Sequence, residues 1–379
     1  MKLPNADSLF FSVDLKDYTE GNEKLTNVLA LLKGKKREAK ENELTGTYVR
    51  IMNEVFEILP NGSRFHAYIL HNDHYEIKIA KVRSKNDNNY PISVRVKSAA
   101  LWNVGLFPAY YSVMEFINKN IGPVKSEKIS RLDLCVHTDE LEFNVEDINN
   151  FSGRYKKETM YFQNRNVSGF VFGTFTNKTI MARIYNKALE VKTKKKKLWF
   201  FDIWQKNNMD IDSVWNVEFQ LGRELFKEFG MESVMQVLEH IESLWDYCTN
   251  WLTYRVNDKT RKTNSDVTKV WETIQKSYIN FVNVCQKQLI SRVKQLKATA
   301  MAYLPQLFGL LSSFIATAPD MSLHYADKDN LSLRMLMKIK ELARLHYHKK
   351  EISFSDEVKK KFQVISKMNM KYEEIYNVC

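Results

Sequence analysis

The tightest constraint on the fold is a seven-residue stretch, Arg131-Leu-Asp-Leu-Cys-Val-His137, in which apolar residues alternate with functional ones. Along a strand, successive side chains point to opposite faces, so Leu132, Leu134 and Val136 share one face while Arg131, Asp133, Cys135 and His137 share the other. The first face suits a core. Two later segments follow the same rule. Ala182-Arg-Ile-Tyr-Asn-Lys187 puts Arg183, Tyr185 and Lys187 opposite Ile184, and Trp215-Asn-Val-Glu-Phe-Gln-Leu221 puts Asn216, Glu218 and Gln220 opposite Trp215, Val217, Phe219 and Leu221. Taken singly, each is also the pattern of a half-buried strand with a solvated face.

The surrounding sequence from Leu9 to about Glu224 is sheet-rich, with short β-branched and aromatic runs split by turn clusters such as Leu59-Pro-Asn-Gly-Ser63 and Lys85-Asn-Asp-Asn-Asn89. Strands are predicted at Leu9–Asp14, Thr47–Met52, Val55–Ile58, His66–Leu70, Ile92–Lys97, Arg131–His137, Gly169–Gly173, Ile180–Asn186 and Val214–Leu221. Helices are predicted at Glu23–Leu32, Tyr110–Asn120 and Glu224–Phe229. Beyond residue 231 the apolar spacing becomes helical, over Met231–Leu252 and Val267–Ala302. The fold class expected is α+β, with a sheet-rich domain over 1–255 and a helical, basic C-terminal domain over 256–379. Two domains also match the length of 379 residues, since one domain usually takes roughly 100–200.

The polar faces suggest a chemistry if they lie on one sheet. A tyrosine with cations two residues away on either side has its phenolate stabilised and attracts a phosphodiester. Attack by that phenolate would leave a phosphotyrosyl link that stores the bond for rejoining. Asp133 and Glu218, with His137 as a third candidate, could hold a hard divalent cation that polarises the phosphate. Lys and Arg number 57 against 45 Asp and Glu, a formal net charge of +12, which favours a polyanionic partner. The run Lys192-Thr-Lys-Lys-Lys-Lys197 follows the tyrosine closely and reads either as a solvated loop or as a phosphate contact.

Other classes recede. Cys135, Cys248, Cys285 and Cys379 are far apart, with no CxxC pair, and read as reduced structural thiols. Met1 to Asp7 has no basic-then-apolar signal pattern, and Leu304 to Ala318 is shorter than the ~20 residues of a membrane span, so a cytoplasmic protein without a membrane partner is expected. His346-Tyr-His348 has the order of a metal motif that works on a strand. Leu336 to Leu345 reads as helix, where positions two apart lie on different faces.

Together the segments resemble the replication-initiation-factor (Rep_trans) family: plasmid rolling-circle initiators, related phage proteins and relaxases of integrative elements. The resemblance rests on Arg131-Leu-Asp-Leu-Cys-Val, on Gly169-Phe-Val-Phe-Gly173 leading into Ala182-Arg-Ile-Tyr-Asn-Lys-Ala-Leu-Glu190, and on Val214-Trp-Asn-Val-Glu-Phe-Gln-Leu. Arg223-Glu-Leu-Phe-Lys-Glu-Phe-Gly230, Leu244-Trp-Asp-Tyr, Trp251-Leu and Trp271-Glu-Thr-Ile-Gln275 extend it over roughly residues 130–275. It implies a nicking domain on an antiparallel sheet, akin to two ferredoxin-like units, with Tyr185 as nucleophile and Asp133 and Glu218 as metal-side carboxylates. His137 departs from the acidic residue expected there, so histidine ligates or Asp139 takes over.

The resulting expectation is a DNA strand transferase that forms a 5′-phosphotyrosyl bond with Mg²⁺ or Mn²⁺. Arg183 and Lys187 would hold phosphate oxygens, and Arg131, Lys194, Lys195, Lys196 and Arg223 are candidate DNA contacts. Lys287, Arg292, Lys294 and Lys297 offer a docking helix or a solvated face. No GxxxxGK[ST] loop suggests a built-in motor, so a host helicase is an implied partner beside origin DNA, and the oligomeric state is left open, a dimer included. A conjugative relaxase shares the same chemistry, and a non-catalytic DNA-binding regulator is the alternative of another class.

Overall fold

The structure, a computed structural model, describes residues 1–84, 89–175, 179–256, 265–279 and 281. In chain order the elements are β1 (Lys2–Leu15), α1 (Glu23–Glu41), β2 (Thr47–Ile51), β3 (Glu54–Ile58), β4 (Tyr68–His71), β5 (Tyr75–Ile79), β6 (Ile92–Lys97), α2 (Ser98–Val104), α3 (Leu106–Asn120) and β7 (Val124–Thr138). There follow β8 (Phe151–Gly153), β9 (Glu158–Gln163), β10 (Asn166–Phe172), β11 (Ile180–Asn186), α4 (Lys187–Lys194), α5 (Trp199–Lys206), β12 (Trp215–Gly222), α6 (Arg223–Glu228), α7 (Val234–Glu239), α8 (Ile241–Trp251), β13 (Leu252–Tyr254) and α9 (Lys269–Gln275).

Eleven of these strands make one sheet in the order β2-β3-β4-β5-β6-β1-β7-β12-β11-β10-β9, and β13 pairs separately with β8. Every strand pairing is antiparallel. The architecture is thus α+β, built on a large antiparallel sheet. The long strands β1 and β7 sit side by side at its middle, and β1 joins the two halves because β6 pairs on its other edge.

One face of the second half is apolar, as the alternation requires. In register, Val217 lies beside Val136, Phe219 beside Leu134, Leu221 beside Leu132, Ala182 beside Phe219 and Ile184 beside Val217. Helices α8 and α9 cover this face. The Trp245 ring meets Phe219 edge-on at 5.5 Å, Trp271 is fully buried, and the Trp245 and Trp271 indole nitrogens donate to the Ile274 and Thr249 carbonyls. Each such fully buried large side chain contributes on the order of 1.5–3 kcal/mol. Residues 265–279 therefore complete the core of the sheet-rich part.

The single helix expected over Met231–Leu252 is broken at His240, whose backbone leaves helical geometry (φ −111°, ψ 20°). A capping box at Ser233 starts α7. The break lets Val237 and Leu238 on one segment and Ile241, Leu244 and Trp245 on the next all be buried. Within Val267–Ala302, α9 gives way to a 3₁₀ turn at Lys276–Tyr278, and most of the remainder lies outside the described residues. So do Leu304–Ala318, His346, His348, Cys285, Cys379 and the cations Lys287, Arg292, Lys294 and Lys297. Among the described residues no helix is long and apolar enough to cross a membrane.

Candidate active site

The three polar strand faces lie on one face of the sheet. Across β7, β12 and β11 the register pairs His137 with Asn216, Cys135 with Glu218, and Asp133 with Gln220, then Asn216 with Tyr185 and Glu218 with Arg183. Directly opposed residues point the same way. The next strand places Gly169 opposite Tyr185. A Cβ at Gly169 would stand 2.8 Å from the Tyr185 Cβ and 2.9 Å from the Ile184 carbonyl oxygen, so this position admits no side chain without displacing the tyrosine.

Tyr185 sits at the end of β11, where Asn186 turns the chain by accepting the Leu189 N–H at 2.8 Å as the N-cap of α4. The first residue of that helix is Lys187, and its side chain returns to the tyrosine. Its Nζ donates to the Tyr185 hydroxyl at 3.0 Å and to Glu190 at 2.8 Å while only 2% exposed. Asn216 Nδ2 also donates to the hydroxyl at 3.0 Å. The hydroxyl in turn donates to Glu218 Oε2 at 3.2 Å, an oxygen that also accepts from Asn216.

Burial, reinforced by the Glu218 charge, holds the Tyr185 hydroxyl well above its usual range, against the pull of Lys187. The resting nucleophile candidate is protonated. Burial likewise pushes Glu218 up to about 7 despite the Arg183 guanidinium beside it, and raises Asp133 against Arg131 and Arg183. Both carboxylates are 1% exposed. Lys187 is held charged, because Tyr185, Asp7 and Glu190 outweigh the cost of its burial.

An open pocket of about 550 Å³ leads to this network. Its walls include Tyr161, Gly169, Arg183, Tyr185, Lys187, Lys194, Lys197 and Glu218. Asp7, also in the wall, belongs to the site although no strand alternation marks it. The β1–β7 register skips a residue between Ala6 and Ser8, and the bulge turns Asp7 toward the polar face. Ser98 donates to Asp7 at 2.6 Å and Lys197 lies 3.4 Å away. Although burial opposes it, Lys197 and Lys187 keep Asp7 ionised, well below the usual carboxylate range.

Asp133 and Glu218 are bridged by Arg183, which hydrogen-bonds Glu218 and approaches Asp133 at 3.8 Å. Arg131 forks onto Asp133 at 2.8 and 2.6 Å. Among the described residues no three His, Cys, Asp or Glu side chains cluster as a metal site. The oxygen donors nevertheless suit a hard divalent cation. A guanidinium already stands between the two buried carboxylates, and Asn216, whose Nδ2 donates to Glu218, has a buried Oδ1 with no hydrogen-bond partner among the described residues.

His137 is not brought to this set. Its ring is fully buried among Trp102, stacked at 4.4 Å, Phe200 and Trp204, and its Nδ1 accepts the Trp204 indole N–H at 3.1 Å. Burial, with Lys187 nearby, keeps it neutral. The signal that misled is parity alone: His137 shares a face with Asp133 but stands two positions past Cys135, under α5. Asp139 is elsewhere too, accepting the Asp210 N–H at 3.0 Å.

The candidate DNA contacts separate. Lys194 lines the pocket while paired to Glu190 at 2.7 Å, and Lys195 and Lys196 are exposed just after α4. Arg131 is held by Asp133. Arg223 donates to the Ile129 and Glu232 carbonyls and pairs with the Glu232 carboxylate, bracing the start of α6 away from the pocket. The lysine run is thus partly helix, with Lys195 (φ 49°) ending α4 and Lys197 (φ 58°) in the link to α5.

Among solved structures, the chain is similar to a rolling circle replication initiator protein from Geobacillus stearothermophilus, with a TM-score of 0.42 and 16% sequence identity over 77% of this chain and 99% of that one. No protein-family model matches the sequence. No curated protein matches it either.

Proposed function

We propose that this chain nicks and rejoins one DNA strand through Tyr185, as an initiator of rolling-circle replication. The observation that carries the reading is the Tyr185 hydroxyl itself, gripped by Lys187, Asn216 and Glu218 in a pocket lined by paired cations and carboxylates. A purely structural buried tyrosine has no need of a buried lysine, a carboxylate and an open approach at one oxygen.

The steps follow from these contacts. The Tyr185 proton passes to Glu218 Oε2, which it already faces, as the phenolic oxygen attacks phosphorus. An O–P bond forms to tyrosine and the bond from phosphorus to the 3′ oxygen breaks. That oxygen takes a proton from water and becomes a free 3′-hydroxyl, while the 5′ phosphate stays on the protein. Reversal rejoins the strand without ATP. Lys187 balances the phenolate charge, and Arg183 and Lys187 face the phosphate oxygens. Asp133 and Glu218 would hold Mg²⁺ or Mn²⁺. Such a cation would supply charge neutralisation at the phosphate. Lys194, Lys195 and Lys196 extend the positive surface along which a strand would run.

In this reading the strand offered is origin DNA, single-stranded or melted, and a host helicase extends the opening. The arrangement as two ferredoxin-like units belongs to the same reading. The test is to incubate the purified full chain and its Tyr185→Phe variant with Mg²⁺ or Mn²⁺ and labelled single-stranded DNA of its own element. A denaturation-resistant adduct in the wild type alone is expected. An adduct that persists in the variant overturns Tyr185, and tight binding with no adduct points to a DNA-binding regulator.

A further inference from the structure

The pocket has one wall that the chemistry above does not use. Tyr161, on the edge strand β9, lies directly opposite Gly169, which in turn lies directly opposite Tyr185. The three residues therefore form a row across three adjacent strands, tyrosine, glycine, tyrosine, with no side chain in the middle. Adjacent strands are about 4.8 Å apart, so the two tyrosines stand on backbones roughly 10 Å from each other, the scale of one nucleotide.

Tyr161 is a poor candidate for a core residue, being 52% exposed, yet it lines the pocket rather than open surface. The strand ends at Gln163, whose side-chain amide donates to Thr193 Oγ1 at 3.2 Å and ties the edge to α4. Ser168, the bulge residue of β10, also lines the cavity. The wall near Tyr161 is thus an aromatic ring with neutral polar groups, whereas the wall near Tyr185 is charged, with Arg183, Lys187, Lys194 and Lys197 set among the carboxylates Asp7, Glu190 and Glu218. A ligand with an anionic group at one end and a flat ring at the other matches that division.

We propose that Tyr161 is the stacking platform for the base next to the phosphodiester that Tyr185 attacks. The proposal rests on the reading of Tyr185 as a nucleophile toward DNA. It commits the pocket to an unpaired nucleotide, because the face of a base in a duplex is covered by its stacked neighbours. Gly169 serves both residues: its bare backbone is the floor that lets the sugar cross from one tyrosine to the other.

The experiment measures binding, so it does not depend on cleavage. Fluorescein-labelled oligo(dT) and an abasic strand with the same number of phosphates are titrated against Tyr185→Phe, and against the same chain carrying Tyr161→Ala or Tyr161→Phe. Tyr161→Ala is expected to weaken oligo(dT) binding about tenfold, to leave abasic binding unchanged, and Tyr161→Phe to restore the preference, as stacking on an aromatic face requires. Equal oligo(dT) affinity with and without Tyr161, or an equal loss for both strands, overturns the platform while leaving Tyr185 untouched. No binding of either strand by any form overturns the DNA reading and the platform with it.

Discussion

Glu218→Gln offers a test that needs no substrate. The carboxyl of Glu218 moves from an ordinary 4.5 to about 7 because burial outweighs Arg183. At about 1.4 kcal/mol per pH unit of displacement, the protonated site is roughly 3 kcal/mol better tolerated than the ionised one. The direction follows from linkage. Below pH 4.5 the group is protonated in both states and costs nothing. Between 4.5 and about 7 the unfolded chain ionises while the folded chain holds its proton, so stability falls as pH rises, and above 7 the loss is complete.

Glutamine keeps the shape and cannot ionise, so the difference between wild type and variant isolates this one group from the other carboxylates. Denaturation by urea at pH 4 to 8 should show the wild type losing up to about 3 kcal/mol relative to Glu218→Gln across that window. A difference that is flat from pH 4.5 to 7 would refute the claim that burial outweighs Arg183 at the carboxylate beside Tyr185. Mg²⁺ or Mn²⁺ should recover part of the loss at pH 8 and little at pH 5, in the wild type but not in Asp133→Asn.

Three further substitutions separate the roles at the site. Lys187→Met removes the donor 3.0 Å from the phenolic oxygen and should slow adduct formation roughly 10²-fold in single-turnover assays, with DNA affinity changed far less. Gly169→Ala forces a methyl against the Tyr185 Cβ and the Ile184 carbonyl oxygen and should lower stability by about 1–3 kcal/mol in thermal melts, together with adduct yield. His137→Phe should cost about 1–2 kcal/mol through the lost Trp204 hydrogen bond, yet leave divalent-cation stabilisation and adduct formation intact; loss of either would return His137 to the metal set.

Much of the site was legible because strand parity is rigid. Once Arg131 to His137 was read as alternating, the faces of Asp133, Tyr185 and Glu218 were determined, and the sheet brings them together in register. Parity says nothing of what covers a strand, which is why His137 looked equivalent to Asp133 while α5 packs an aromatic cluster over it. The helices α2, α4 and α5 were missed because they are short, of seven or eight residues, and take their stability from tertiary packing rather than from a long periodic stripe. Asp7 was hidden by its bulge, since one skipped residue reverses which side chains face the site. The edge strand carrying Tyr161 was missed because it lacks a buried face and so shows no alternation.

The most direct measurement is to digest the covalent protein–DNA adduct with nuclease and protease and locate the nucleotide remnant by mass spectrometry. The remnant should sit on the peptide containing Tyr185, joined through a 5′ phosphate, with a free 3′-hydroxyl on the released strand. A remnant on another residue, or a 3′-phosphate linkage, would contradict the mechanism.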